Sequence, residues 1–460
     1  MKKNIKKINY LFFLILPFID LITGLVSRFI DLPISIGMII KGLYILLIAI
    51  YILFYSKSNH KKKFIIYISL CVIFTLLYFI TKTDLLNTKY LFNEISTLFK
   101  TFFASIIFFA FLVMVDDFKY EEKDINKLMI YSLITYVILL VVPTITNTNF
   151  NSYITKDNEG SIGWFYAAND ISSIILMLYP FIYIYLNKNI NNKNKKTYLY
   201  YLFLPLTIYS IFIIGTKTSW LGLILVSIIT LISYILKKEK KNIILLSIVL
   251  ISIMLLTFIT PAFKNINIET NRQNSNTVTQ KETIKNTNVT EENERLETLK
   301  EKCNTHKFSE IIDKKTYKLT NIILSGRQNK AYSTYLIYQS SKFSNKIFGI
   351  GFSNTDKINN CYARKYIEMD FLDILFHYGI IGLLLILIPL MYTIKISLNN
   401  KNNVKKAISN ILITLVIIFI SSTAGHVIGY PTANLYLSIY LLLIYINLNK
   451  KTVKKNDRKN

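Results

Sequence analysis

The stretch YIEMDFLDILFHYGIIGLLLILIPLMYTI, Tyr366–Ile394, decides the fold. From Phe371 onward it is apolar for longer than the roughly 20 residues a helix needs to cross a bilayer. Its approach is acidic: Glu368, Asp370 and Asp373 stand at the mouth of the run. Carboxylates are costly to bring near hydrocarbon, so three of them there need a reason. Either they form a charged rim where a helix enters the membrane, or they belong to a catalytic site facing the membrane surface.

Runs of the same kind recur along the 460 residues, which are 52% hydrophobic and only 18% charged. Soluble domains carry about 25% charged residues. The pattern predicts an all-α polytopic membrane protein with about twelve transmembrane helices, at 8–26, 33–55, 64–81, 95–115, 128–145, 164–186, 199–215, 218–236, 242–260, 371–394, 407–425 and 431–448. The first run carries Asp20 and lacks a small-residue cleavage motif, so it reads as a span and not as a cleaved signal peptide.

The net charge of +27 has a topological origin. With an even number of spans both termini share one side. Lysines and arginines crowd the tails and the loops of that side, at 1–7, 56–63, 116–127, 187–197, 237–241, 395–406 and 449–460. The short loops of the other side hold only Arg28, Lys82, Lys89, Lys156 and Lys217. The positive-inside rule then sets both termini in the cytoplasm. Trp164 and Trp220 both fall at outer span ends, where amphipathic rings prefer to sit. The bilayer, with anionic lipid as counter-charge, accounts for the basic bias, and no nucleic-acid partner is needed.

Four regions follow: spans one to nine over 1–260, one large extracytoplasmic loop after the ninth span over 261–370, the last three spans over 371–448, and a basic cytoplasmic tail over 449–460. The loop is uneven. Residues 265–290 are polar and low in apolar content, and disorder is expected there. Residues 317–370 are richer in aromatic and aliphatic side chains, and an ordered half is expected, with a glycine turn at Gly349 and Gly351. Long loops with their own structure are more often functional than passive. Cys303 and Cys361 both fall in the loop, where a disulfide is permitted, while Cys71 reads as a small core residue. No cysteine–histidine spacing suggests a metal site, and His60, His306, His377 and His426 are scattered.

Several polar residues stand where apolar ones are the rule. Asp20 and Lys41 lie in the first two spans, roughly 9–12 Å below the outer ends at the helical rise per residue, and an ion pair between them is expected. Asn169 and Asp170 open the sixth span; they either cap the helix or hydrogen-bond a sugar or phosphate. Lys217, in the hairpin IIGTKTSWLG, either snorkels to the interface or holds a lipid-linked phosphate. Arg327 follows a Ser-Gly turn and is followed in turn by Gly349-Ile350-Gly351 and Glu368. Asp370 and Asp373 share a helical face with His377 a turn further on; Asp370 can serve as N-cap, and Asp373 can orient the site or pair with His377.

The twelve spans, the late outer loop, SGR at Ser325–Arg327, GIGF at Gly349–Phe352 and the acidic motif ahead of HYGIIGLLL resemble the O-antigen polymerase and O-antigen ligase superfamily. The resemblance implies a metal-independent membrane glycosyltransferase without a cofactor, in the bacterial cytoplasmic membrane, with its active site extracytoplasmic. Its donor would be an undecaprenyl-diphosphate-linked glycan, its other partners a glycan acceptor, the lipid bilayer and other polysaccharide-assembly proteins. On this resemblance Arg327 faces the diphosphate, Lys217 stands where many members have an arginine, and Asn169 matches an asparagine at the start of a span. Glu368-Met369 falls where ligase-like members commonly carry histidine and asparagine, which makes the base a carboxylate.

Catalytic roles are expected for Glu368, Arg327 and Asp373, the last from its place on the helical face with His377, and substrate contacts for Lys217, Asn169, His377 and Asp370. Arg327 and Lys217 would stabilise the charge that builds on the leaving diphosphate, and Glu368 would take the acceptor proton. The leading expectation is polymerisation of lipid-linked repeat units into a surface polysaccharide, capsular or O-antigen-like. Transfer of a finished glycan to a lipid, wall or protein acceptor is the neighbouring alternative. A flippase or carrier would need charges along a midplane path, whereas the charges here cluster toward the outer side. A receptor that uses the loop to bind a partner is a further class.

Overall fold

The computed structural model describes residues 2–30, 34–82, 88–153, 158–190, 196–275, 308–352, 366–400, 403–425 and 427–449. Each apolar run is helical along most of its length. The first ten helices are α1 (Lys2–Phe29), α2 (Ile36–Tyr55), α3 (Lys61–Ile80), α4 (Thr88–Phe118), α5 (Glu122–Ile145), α6 (Ala168–Leu178), α7 (Pro180–Ile190), α8 (Lys196–Ile214), α9 (Lys217–Lys237) and α10 (Lys240–Leu256). The large loop contributes α11 (Pro261–Ser275), α12 (Phe308–Ile311), α13 (Lys314–Leu324), α14 (Arg327–Ser340) and α15 (Phe343–Phe348). The last spans are α16 (Asp370–Asn399), α17 (Val404–Ala424) and α18 (Pro431–Asn449).

Among the described residues, 11 helical stretches are long and apolar enough to cross a membrane, and Leu199–Ile214 is a shorter twelfth. The chain is therefore an all-helical, multi-pass membrane protein, and no strand forms among the described residues beyond one bridge between Asn151 and Ser161. Span six differs from its expected extent. Residues 164–167 are not helical, and the helix breaks between α6 and α7 at Pro180, whose ring denies a backbone donor to the preceding turn.

The core runs down α18, which is buried along nearly its whole length. It packs against α4, α6, α16 and α17. Its buried polar side chains are bonded to neighbours, Asn434 to the Lys100 carbonyl and Ser438 to the Ala104 carbonyl at 3.1 and 2.8 Å, as burial requires. The expected ion pair is present: Lys41 Nζ lies 2.8 Å from Asp20 Oδ1, with both side chains buried. Tyr136 and Thr432 donate to the same carboxylate at 2.6 and 2.7 Å. The network joins α1, α2, α5 and α18 at one level.

The segment 265–290, expected to be disordered, is helical through Ser275 as part of α11. Tertiary contacts override its polar composition. Asn265 donates to the carbonyls of Glu159 and Gly215 at 2.6 and 2.9 Å, and Lys264 pairs with Glu159 at 3.0 Å. Residues 276–290 lie outside the described residues, as do Cys303, Cys361, His306, His426 and the tail from 450.

Candidate active site

The SGR turn works by backbone conformation. Helix α13 ends at Ser325, whose φ is 52°, and Gly326 follows at 83°. Two left-handed residues in succession reverse the chain, and glycine takes the second without strain. Arg327 thereby becomes the first residue of α14 and is nearly buried. Its Nη2 meets Glu368 Oε2 at 3.0 Å, and Lys330, one turn along the same helix, meets Glu368 Oε1 at 2.7 Å. The Arg327 Nε is buried without a hydrogen-bond partner among the described residues. Farther along α14, burial pushes the Tyr338 hydroxyl above its ordinary range, and this hydroxyl donates to the Lys346 carbonyl at 2.8 Å.

Glu368 sits on a turn held from below. Its φ is 67°, uncommon for a residue with a side chain. The Asp373 carboxylate accepts from the backbone N–H groups of Ile367, Glu368 and Met369 at 2.8, 3.0 and 3.3 Å. Gly425 packs on the same turn: a Cβ there would lie 2.6 Å from the Glu368 carbonyl. Asp370 is the first residue of α16, behind an N-cap at Met369, so it does not cap the helix itself. Its Oδ2 instead accepts from Ser421 Oγ and from the N–H groups of Val427 and Ile428 at 2.6, 2.9 and 2.8 Å. Charge-assisted bonds of this kind are the strong ones, and they tie the start of α16 to the turn before α18.

His377 Nδ1 lies 3.7 Å from the Asp373 carboxylate, within ion-pair range when the ring is protonated but beyond a hydrogen bond. The same nitrogen is 2.7 Å from the Asp373 backbone carbonyl, and the ring stacks on Phe352 at 3.8 Å. The GIGF segment explains this arrangement. Gly379 interrupts α16 with φ 70°, which frees carbonyls one turn earlier from their helical partners. Ile350 and Gly351 supply the missing donors, to Phe376 and His377, at 2.8 and 3.1 Å. The approach is so close that a Cβ on Gly349 would lie 2.1 Å from the His377 carbonyl oxygen.

Beside Arg327 opens a cavity of about 900 Å³. Arg28, Asn158, Asn169, Lys217 and Arg327 line its polar part, and Leu221, Leu225, Phe419 and Ile420 its apolar part. Three helix N-termini reach it: α6 at Ala168, α9 at Lys217 and α14 at Arg327. Free N–H groups and the helix dipole make such ends receptive to anions. Lys217 Nζ donates to the Ile322 carbonyl at 2.8 Å and to Ser325 Oγ at 3.2 Å. Asn169 is no cap, because the N-cap position is Ala167; its side chain borders the cavity.

Of the residues singled out in the sequence, the structure brings Arg327, Lys217 and Asn169 to one cavity, with Glu368 bonded to Arg327. Asp370, Asp373 and His377 are buried and do not line it. Sequence reasoning missed Arg28 and Asn158. Arg28 donates to the carbonyls of Phe165 and Tyr166, both at 3.1 Å, and lies 4.0 Å over the Phe150 ring. The buried Asn158 Oδ1 has no partner among the described residues. Arg28 as one of few cations in a short loop was the available signal; Asn158 gave none.

The family described as O-antigen ligase like membrane protein matches residues 2–451. The chain belongs to that family. A comparison with curated proteins finds no match. Membership in the O-antigen ligase like family places the cavity in a membrane protein that joins glycans, by ligation or by polymerisation.

Proposed function

We propose that this protein polymerises undecaprenyl-diphosphate-linked oligosaccharide repeat units into a surface polysaccharide on the outer face of the bacterial cytoplasmic membrane. The observation that carries the reading is the meeting of Arg28, Lys217, Arg327 and three helix N-termini on one cavity with an apolar flank. A donor of this kind has an anionic diphosphate between a sugar and a lipid. The polar part suits the diphosphate and sugar. Leu221 and Phe419, both exposed on spans, suit the lipid arriving from the side.

In the proposed reaction the acceptor hydroxyl oxygen forms a bond to the donor's anomeric carbon. The bond from that carbon to the diphosphate breaks, and the lipid diphosphate leaves with the electron pair. Arg327 and Lys217, with Arg28 beside them, stabilise the charge that develops. Glu368 takes the hydroxyl proton once Arg327 exchanges its carboxylate for the diphosphate. Asp373 and Asp370 fix the turn that presents Glu368, and His377 fixes the GIGF crossing behind it. Asn169 hydrogen-bonds the sugar or phosphate.

The family's description favours a second reading, ligation of a finished glycan to a lipid, wall or protein acceptor. The size distribution of surface glycan in a deletion strain separates the two. Loss of the high-mass ladder with single units retained supports a polymerase. Accumulation of long, unattached lipid-linked chains supports a ligase. Single units that remain on the cytoplasmic side would point to a carrier and overturn both.

A further inference from the structure

Helix α13 (Lys314–Leu324) belongs to the large loop but has no buried side chain. Its inner edge is held to α14: Gln328 donates to Asn321 Oδ1 at 2.8 Å and Asn329 donates to the Tyr317 hydroxyl at 3.1 Å. Asp313 caps its start by accepting from the Thr316 N–H at 2.9 Å. The outer edge is different. Leu319 and Ile323, one turn apart, are each 58% exposed. Lys314, Lys315 and Lys318 follow on the adjoining exposed edge, and α13 contains no acidic residue.

The C-terminal end of this helix is tied to a span. Lys217 is the first residue of α9, a membrane-spanning helix. Its bonds to the Ile322 carbonyl and to Ser325 Oγ hold the end of α13 at the depth where α9 leaves the membrane. Ile323 shares the cavity wall with Leu221, one turn into α9, and with Phe419 of α17, and all three are exposed. An apolar edge beside lysines at that depth meets the boundary between acyl chains and headgroups, where basic amphipathic helices bind anionic lipid.

We propose that α13 lies in the headgroup layer of an anionic bilayer, with Leu319 and Ile323 against the acyl chains and Lys314 and Lys315 among the phosphates. The helix then forms the membrane-side lip of the cavity. This goes beyond the functional reading and holds whichever glycan reaction the cavity performs.

Spin labels on the full-length protein test it without any activity. Cys71, Cys303 and Cys361 are replaced by serine, and Leu319→Cys and Ile323→Cys are labelled one at a time. The protein is reconstituted in vesicles of equal parts phosphatidylcholine and phosphatidylglycerol, and collisions with oxygen and with a water-soluble nickel chelate are measured. Both labels should collide more with oxygen than with the chelate, at a depth of about 5–10 Å inside the headgroup boundary. Lys314→Gln with Lys315→Gln should move the Leu319→Cys label, a turn before the tied end, toward water, as should vesicles of phosphatidylcholine alone. Greater collision with the chelate overturns the proposal. Shielding from both reagents also overturns it, because it means that protein, from this chain or a second copy, covers the edge. Equal depth in the two kinds of vesicle overturns the assignment to anionic lipid.

Discussion

Arg327 and Glu368 meet at 3.0 Å across 41 residues of sequence. The contact joins the first residue of a loop helix to the turn that enters span α16. Arg327 also borders the cavity, while Glu368 does not. The pair is therefore placed to exchange partners: an anion in the cavity competes with Glu368 for the guanidinium. A planar fork suits both a carboxylate and a phosphate, so the exchange needs little movement.

Replacing Glu368 by glutamine tests the proton-accepting role. The amide keeps the shape and can still accept from Arg327, but it is no longer a base. Polymer growth should fall about 10²- to 10⁴-fold, the usual worth of general-base catalysis, with the amount of protein in the membrane unchanged. Glycan laddering on gels against immunoblots of the membrane fraction reads both. A ladder of normal length from this variant would end the assignment.

Asp373 should show a different signature, because it acts on the turn and not on the substrate. Asp373→Ala leaves the N–H groups of Ile367, Glu368 and Met369 without their acceptor. Each buried orphan costs about 1–3 kcal/mol, so the melting temperature in detergent and the glycan ladder should fall together. Asp373→Asn keeps one acceptor oxygen and should recover part of both. Loss of polymer with an unchanged melting temperature in Asp373→Ala would instead mean direct participation in the chemistry.

The spans were legible because length and apolarity are local properties of the sequence. The site was legible only in part. Arg327 and Glu368 stood out as charged residues beside glycine turns, but nothing local pairs them. Asp370 looked like a helix cap, and its real partners, Val427 and Ile428, arrive from the turn between the last two spans. Asn169 looked like a cap too, yet the N-cap position, with extended backbone, is Ala167. Arg28 gained its place only because the loop carrying Phe165 and Tyr166 folds over it. Contacts of this range are set by packing, which periodicity does not encode.

The crossing of GIGF over α16 predicts unequal tolerance between two glycines with positive φ. Gly349 and Gly326 both have positive φ, at 85° and 83°, but ψ is −2° at Gly326, within reach of other residues, and 169° at Gly349, a region almost confined to glycine. A Cβ on Gly349 would collide with the His377 carbonyl at 2.1 Å, whereas on Gly326 the nearest atom lies 3.8 Å away. Gly326→Ala should therefore cost only the conformational strain, about 1 kcal/mol. Gly349→Ala should abolish the folded peak in fluorescence-detected size exclusion or lower its melting temperature far more. Equal tolerance at the two positions would mean that the crossing is looser than its hydrogen bonds imply.

The pair Asp20–Lys41 predicts non-additivity. Both groups are buried, and Asp20 also accepts from Tyr136 and Thr432. Removing one charge strands the other, which costs about 3–5 kcal/mol in buried pairs. Asp20→Asn and Lys41→Met should each sharply lower the melting temperature in detergent. The double variant removes both charges, and asparagine keeps one acceptor oxygen for one of the two hydroxyls, which bond different oxygens of Asp20, so part of the loss should return. Intramembrane charges are also held for function, and the double variant separates the cases. Recovered stability with a normal glycan ladder makes the pair a structural tie between α1 and α2. Recovered stability without glycan would assign the charges a part in the reaction or in substrate passage.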